Sequence, residues 1–355
     1  MLASFAVLVS EFDFDLPAQL IAQTPPARGA SRLMVLNRLD ARTEHSRFSD
    51  LPDLLRAGDL LVANNTRVFP ARLLGRRVDS GGMVECLLLG RAEQDQLWHA
   101  LMHPGQKLRE GARVRFEGHA GALVAEVIER KFFGRRLIRL WAEPAGASVD
   151  ALVDALGHVP LPPYIKRPDT AVDRERYQTV YASVKGSVAA PTAGLHFTVQ
   201  LLDALAGRGV ERTEITLHVG YGTFKPVRSQ TVEEHQVDSE RYEIAASAAE
   251  AINRARAERR RVVAVGTTTT RALEHAALRG GGTIATGKAD ADTFIFPGFR
   301  FQIVDALITN FHLPRSSLLM LVSAFAGTAS VLGAYREAVA HEYRFYSYGD
   351  AMLIV

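Results

Sequence analysis

An α/β main domain carrying an inserted small all-β barrel is the fold class that this sequence predicts, and two contrasting patterns predict it. Between Phe69 and Trp141 the chain breaks into short β-rich runs at Met83–Leu89, Arg113–Phe116, Leu123–Ile128 and Leu137–Trp141, separated by glycine-containing turns. Regularly spaced short strands of that kind close into a small barrel. On either side, amphipathic helices alternate with apolar runs, the rhythm of βαβ units on a parallel sheet. The expected division is an α/β domain of residues 1–68 and 144–355, interrupted by a barrel domain of residues 69–143.

The flanking elements carry their own signals. Thr198 opens a helix with Leu201, Leu202 and Leu205 on one face, closed near Gly207 and Gly209. Ile215, Leu217 and Val219 then alternate with Thr216 and His218, as in a strand that buries one face. Ser247 and Glu250 have capping-box spacing ahead of a helix carrying Ala248, Ile252 and Ala255, and the apolar run Val262–Val265 follows as a buried strand. A second helix begins after Gly266, and the runs Thr293–Phe296 and Val304–Thr309 are expected to extend the sheet. No repeat at solenoid periods and no low-complexity tract is present.

Bulk composition removes several classes. A chain of 355 residues is long enough for two domains, and its 47% hydrophobic and 23% charged content is globular, which excludes disordered and fibrous proteins. The longest apolar stretch, Leu318–Ala326, is interrupted by Ser323 and falls far short of the roughly 18 residues of a membrane span. Residues Leu2–Val9 are apolar but lack a basic flank and run into Glu11 and Asp13, so they read as a variable N-terminal extension rather than a secretory signal. A single cysteine, Cys86, excludes an internal disulfide framework and a cysteine-based zinc cluster, and a cytoplasmic, monomeric protein is expected. With 42 basic and 39 acidic side chains and a pI near 9.0, the charge balance permits nucleic-acid binding without requiring it.

Among local motifs, Arg261–Arg271 runs strand, glycine, hydroxyl cluster, helix. Free N–H groups at a helix N-terminus attract anions, and Thr267 and Thr268 would add hydroxyls with Arg271 one turn in; an ordinary threonine cap fits the spacing equally well. The phosphate loop G-x-x-x-x-G-K-[ST], the dinucleotide fingerprint and the zinc motif H-E-x-x-H are all missing, and the 11 histidines are scattered, so no metal is expected. His196, His218 and His312 each fall near a strand end or helix start, where open α/β sheets place ligands, and imidazole titrates near neutrality as proton transfer requires. The segment Tyr164–Tyr181 interleaves Lys166, Arg167, Arg174 and Arg176 with Tyr164, Tyr177 and Tyr181. Basic groups with aromatic faces suit an unpaired RNA loop, and a solvated charged surface looks the same in sequence.

From Phe12 to Ile354 the chain resembles the S-adenosylmethionine:tRNA ribosyltransferase-isomerase family of queuosine biosynthesis. The resemblance rests on Asp13–Pro17 (DFDLP), Leu20–Gln23, Gly58–Val62 with Thr66–Val68, Gly157–Ile165, Asp173–Tyr181 (DRERYQTVY), Gly186–Thr198 (GSVAAPTAGLHFT), Thr216–Phe224 (TLHVGYGTF), Val304–Gly327 and Tyr343–Ile354. It implies transfer and isomerisation of the ribosyl group of S-adenosylmethionine to 7-aminomethyl-7-deazaguanine at the tRNA wobble position, giving epoxyqueuosine-tRNA with release of adenine and methionine. S-adenosylmethionine is then a consumed substrate and no cofactor is needed. The resemblance puts Arg67 beside His196, His218 and His312 as catalytic candidates, Thr192 with Gly266, Thr267, Thr268 and Arg271 at S-adenosylmethionine, and Lys166, Arg167, Arg174, Arg176 and Tyr177 at tRNA.

Three positions depart from the family pattern. Asn65 stands where Asp is expected, Asp238 where His is expected, and Thr269–Thr270 where Ser–Val is commoner. If none of the histidines is the base, Glu243 and Asp238 are the next carboxylates to consider. A conventional methyltransferase and a non-catalytic RNA-binding protein are the competing readings; the first is weakened by the absence of a glycine-rich loop after a first strand.

Overall fold

The computed structural model describes residues 6–224 and 227–355. Its main sheet has nine strands in the order Gly287–Ala291, Glu240–Ile244, Glu211–Leu217, Leu60–Asn64, Val262–Val265, Ala306–Asn310, Ala351–Ile354, Arg32–Leu36 and Thr43–Arg47. The four central strands, from Glu211–Leu217 to Ala306–Asn310, are mutually parallel; antiparallel pairs continue the sheet at one end, and at the other Ala351–Ile354 is antiparallel to Ala306–Asn310, Arg32–Leu36 is parallel to Ala351–Ile354, and Thr43–Arg47 closes the edge antiparallel.

Why these runs lie in the middle follows from their composition. Val262–Val265 and Leu60–Asn64 are buried at every position, because helices cover both faces. Successive residues divide between two cores: Leu60, Val62, Val262 and Ala264 pack with Ile252, Leu273 and Met320, while Leu61, Ala63, Val263 and Val265 pack with Phe197, Leu201 and Leu205. A one-residue slip of register would exchange the two sets.

Six antiparallel strands, Arg72–Arg77, Met83–Arg91, Leu97–His103, Arg113–Gly118, Gly121–Arg130 and Arg135–Glu143, form a closed barrel, and none of them joins the main sheet. Alternate residues such as Val114, Phe116, Leu123, Ala125, Ile138 and Leu140 fill its interior. The helix Val149–Leu156, capped by the Ser148 hydroxyl, adds Leu152 and Val153 to that core, so it sits on the barrel. Arg72 and His158 exchange backbone hydrogen bonds of 3.2 and 2.8 Å where the chain leaves and rejoins the larger body. Gly157 permits this approach: a Cβ there would overlap the Pro70 carbonyl.

The expected α/β fold with a small barrel is the fold observed; local details differ. Thr198 caps the helix Val199–Gly207, accepting from the Leu201 N–H at 3.0 Å, as its sequence position suggests. The helix Ala246–Ala257 instead starts after Ala245 with no side-chain cap, so the Ser247–Glu250 box is not made. The run Thr293–Phe296 is not a strand; Gly287–Ala291 occupies that edge. Of the expected N-terminal extension, residues 2–5 lie outside the described residues, while Leu8 bridges Thr231 and Val9 is buried. Among the described residues no single helix is long and apolar enough to cross a membrane; the apolar pair Ser317–Ala326 and Thr328–Ala340 is bent by 116° at Gly327 and contributes Met320, Val322, Val331 and Tyr335 to the core.

Candidate active site

Two adjoining clefts, of about 500 and 580 Å³, open at the carboxyl ends of the parallel strands. The first is lined by Thr192, Gly266, Thr267, Thr268, Asn310, His312 and Ser347; the second runs on from Thr223, Thr267 and Thr268 to His235, Asp238, Glu240, Arg271 and Phe294. This is the position at which open α/β sheets take ligands.

Gly266 turns the strand Val262–Val265 directly into the helix Thr267–Arg279, with φ +92°, a left-handed conformation suited to glycine. The hydroxyls of Thr269 and Thr270 donate back to the carbonyls of Val265 (2.7 Å) and Gly266 (3.1 Å), so these two residues are absorbed into the helix. Thr267 and Thr268 are left on the cleft wall, and no side chain caps the helix. Its first N–H groups and the positive end of its dipole therefore face the cleft, an arrangement suited to a carboxylate.

The three histidines separate. His312 lines the first cleft; its Nε2 pairs with the Thr309 hydroxyl at 3.0 Å, and among the described residues Nδ1 has no hydrogen-bond partner. Burial pushes its pKa down to about 3, so the ring is neutral at pH 7.

His196 lies behind the cleft, with both nitrogens engaged. Asn310 Nδ2 is 3.1 Å from the Tyr346 carbonyl and 3.0 Å from His196 Nε2. A carbonyl can only accept, so the amide nitrogen must be the atom facing it, and His196 Nε2 is then the unprotonated, accepting nitrogen. The proton sits on Nδ1 and is donated to Ser31 Oγ at 2.8 Å. Burial lowers the His196 pKa to about 4, which maintains that neutral form. Asn310, itself 3% exposed, lines the first cleft, and its amide oxygen is buried with no partner among the described residues.

His218 lines neither cleft. Strand alternation turns it away from buried Leu217 and Val219, as the sequence predicts, but toward Thr66 Oγ1 (2.9 Å from Nδ1) and the backbone of Gly186. Its pKa is lowered, by burial first and then by Arg241. Desolvation disfavours the charged ring at all three positions.

Arg271, expected to meet a substrate carboxylate, is already ion-paired with Glu240 on the wall of the second cleft. Glu240 also accepts from the Gly220 N–H (2.9 Å) and Thr223 Oγ1 (3.0 Å). Arg67 is exposed on a two-stranded ladder opposite Lys185 and lines neither cleft. Asn65 accepts from Thr216 Oγ1 at 2.7 Å, a role open to asparagine and aspartate alike. Glu243 lies outside the clefts, 3.3 Å from Lys288, and Asp238 pairs with Arg135 of the barrel at 2.9 Å.

The basic segment is mostly committed to the fold. Arg167 grips buried Asp173 through two hydrogen bonds of 2.7 and 2.8 Å, Arg174 reaches the carbonyls of Asp154 and Gly157, and Arg176 reaches that of Pro26. Tyr177 is fully buried and offers no face for a base to stack on. Lys166 alone of the expected five is exposed with neither a side-chain hydrogen bond nor an ion pair among the described residues. Against the expectation of no metal, one group among the described residues could hold an ion: His45, Glu337 and His341 place ligand atoms within 4.8 Å of one another, near the outermost strand of the sheet and outside both clefts.

Sequence reasoning missed Asn310, Glu240 and Phe294. Asn310 sits in the Asn310–Pro314 segment that drew attention through His312, but no spacing rule marks an amide as fixed on its nitrogen side only.

The family described as "Queuosine biosynthesis protein" matches residues 9–354. The chain is 51% identical over 348 residues to a protein of Heliobacterium modesticaldum named S-adenosylmethionine:tRNA ribosyltransferase-isomerase, covering 98% of this chain and 99% of that one. It is 53% identical, with the same coverage, to a protein of that name from Symbiobacterium thermophilum. Among solved structures, the S-adenosylmethionine tRNA ribosyltransferase of Thermotoga maritima is similar with a TM-score of 0.54 and 38% identity, over 98% of this chain and 100% of that one.

Proposed function

Since the chain belongs to the queuosine biosynthesis protein family, as an S-adenosylmethionine:tRNA ribosyltransferase-isomerase, we propose that it transfers and isomerises the ribosyl group of S-adenosylmethionine to 7-aminomethyl-7-deazaguanine at the wobble position of tRNA. The products are epoxyqueuosine-tRNA, adenine and methionine. The observation that carries this reading is the first cleft, where an uncapped helix N-terminus, a lone amide acceptor and a neutral histidine stand together. S-adenosylmethionine is consumed as a ribosyl donor and no cofactor takes part. The protein works as a cytoplasmic monomer, with residues 1–68 and 144–355 as the catalytic domain and 69–143 as an inserted one.

The roles follow from chemistry. The helix N-terminus at Gly266–Thr268 receives the methionine carboxylate, and Asn310 Oδ1 accepts from a donor such as the ammonium beside it. The sulfonium acidifies the adjacent 5′ carbon, and His312 Nδ1, open to the cleft, takes the proton while Nε2–H donates to Thr309. Adenine departs with the pair of its glycosidic bond and takes up a proton, and the amine of the modified base bonds to the anomeric carbon, losing a proton. The C5′ electron pair then bonds to that carbon as its bond to the ring oxygen breaks, and the freed oxygen displaces methionine, as the thioether, from C5′ to close the epoxide. His196 holds Asn310 in place and is a positioning residue.

The test is product analysis. Purified protein with S-adenosylmethionine and tRNA bearing the aminomethyl base should release adenine and methionine in equal amounts. Formation of S-adenosylhomocysteine instead would make it a methyltransferase; tRNA binding without either product would leave an RNA-binding protein.

A further inference from the structure

At one end of the barrel, the tip between the strands Gly121–Arg130 and Arg135–Glu143 carries two adjacent phenylalanines in solvent, Phe132 at 86% and Phe133 at 93% exposure, with ring centroids 6.5 Å apart. An aromatic side chain left in water forgoes the stabilisation that burial brings, and two side by side mark a surface meant to be covered. The backbone adds to the cost: Phe133 has φ +56°, a left-handed conformation uncommon for a bulky residue.

Hydrogen bonds nonetheless hold the tip in place. The Lys131 N–H donates to the Arg135 carbonyl at 2.9 Å, and beneath it buried Arg136 donates to the carbonyls of Gly105 (2.6 Å), Leu108 (3.1 Å) and Arg135 (2.8 Å). Cations slightly outnumber anions around it: Arg130, Lys131, Arg135 and Arg136 stand against Glu110, Glu129 and Asp238, and Lys131 and Arg135 both help to lower the pKa of nearby His99, after burial. Both rings border an open hollow of about 1040 Å³ shared with His103, Gln106, Arg130 and Lys131.

The tip is also tied to the catalytic clefts. Arg135 Nη2 donates to Asp238 Oδ2 at 2.9 Å, and Asp238 lines the second cleft. Asp238 is a position at which the family resemblance suggests histidine.

We propose that residues 130–136 form the platform on which unpaired bases of the RNA substrate stack, with Arg130 and Lys131 meeting phosphates and the Arg135–Asp238 pair holding the platform beside the cleft. The proposal rests on the tRNA reading above. RNA is favoured over a protein partner because the apolar area is only two rings wide and set among charged, mostly basic side chains, whereas the core of a protein interface is broad and poor in charge. Every base offers a face for stacking, and phosphates can displace weak exposed ion pairs such as Lys131 with Glu129 at 3.4 Å.

The experiment compares the full-length protein with a Phe132→Ala/Phe133→Ala double variant. Because the rings bury almost nothing, its thermal midpoint and S-adenosylmethionine affinity should match the parent. Affinity for a full tRNA transcript and for its anticodon stem-loop, measured at one fixed salt, should fall about tenfold or more, and Phe133→Trp should retain the parent affinity. Unchanged tRNA affinity in the double variant overturns the platform while leaving the enzymatic reading intact; a parent protein that binds no tRNA defeats that reading itself. Sedimentation showing a parent dimer that the double variant dissolves would instead make the tip a contact between copies of this chain.

Discussion

Asn310 gives its amide nitrogen to His196 Nε2 at 3.0 Å and to the Tyr346 carbonyl at 3.1 Å, and this pair of contacts fixes both the amide orientation and the imidazole tautomer. Nitrogen NMR of labelled protein should therefore show His196 neutral and protonated at Nδ1 from about pH 5 to 8. In Asn310→Asp a carboxylate faces the Nε2 lone pair, and His196 should bind a proton with a pKa raised by roughly one to three units. An Nε2–H tautomer in the unaltered protein would reverse the amide and remove the free acceptor from the cleft.

His312 is the histidine with an open nitrogen on the cleft, so His312→Gln should lower kcat by about 10²- to 10⁴-fold with little change in S-adenosylmethionine affinity. His218→Gln should lower kcat far less, since its ring is turned toward Thr66 outside both clefts. Single-turnover assays on modified tRNA decide the matter; a loss confined to the 218 variant moves the base there. Because burial holds His312 to about 3, kcat/KM should show no inflection near pH 6.5 from this group.

Acid stability carries the same signature. The folded-state pKa values of His196 and His312, about 4 and about 3, lie below the unfolded value near 6.5, so the unfolded chain binds protons first as pH falls. Their contribution to stability is complete above about pH 6.5 and declines by about 1.4 kcal/mol per pH unit for each ring on the way down to pH 4. Denaturant melts at pH 7 and pH 5 should show this slope, and His196→Gln or His312→Gln should each flatten it.

The Arg271–Glu240 pair is mostly buried, with side chains 14% and 4% exposed. Removing one partner leaves an unpaired charge, so Arg271→Met and Glu240→Gln should each cost about 3 kcal/mol. The double variant should cost less than the sum, which a chemical-denaturation cycle measures. Additive losses would show that the two side chains act separately.

Lys166 and Arg167 are neighbours with different work. Lys166→Ala should flatten the dependence of log tRNA affinity on log salt by about 0.7 to 0.9 if it meets a phosphate, with stability unchanged. Arg167→Ala should destabilise the fold by about 3 kcal/mol instead. Burial would raise the Asp173 pKa, but Arg167, Thr170 and Tyr348 outweigh it and hold the carboxyl well below its usual range. A salt slope altered only in the 167 variant would reassign the contact.

What the sequence determined by itself is periodic or punctuated. Alternation between Met83 and Trp141 marked barrel strands, the buried run Val262–Val265 marked a central strand, and Gly266 marked a turn into a helix facing the cleft. These features depend on neighbours in the chain, and local sterics and burial of one or both faces suffice to set them. Long motif blocks such as Gly186–Thr198 further tie the chain to a family. Tertiary structure decided the direction in which each polar group points. His196 and His312 look alike in sequence, yet contacts with Ser31 and Asn310, 165 and 114 residues away, close the first, while His312 keeps a nitrogen open. Arg167 and Arg271 read as free cations until the fold brings Asp173 and Glu240 against them, and barrel closure leaves Phe132 and Phe133 in water, which no local pattern marks. A side chain's charge state and availability depend on what surrounds it in three dimensions, and packing of distant segments sets those surroundings.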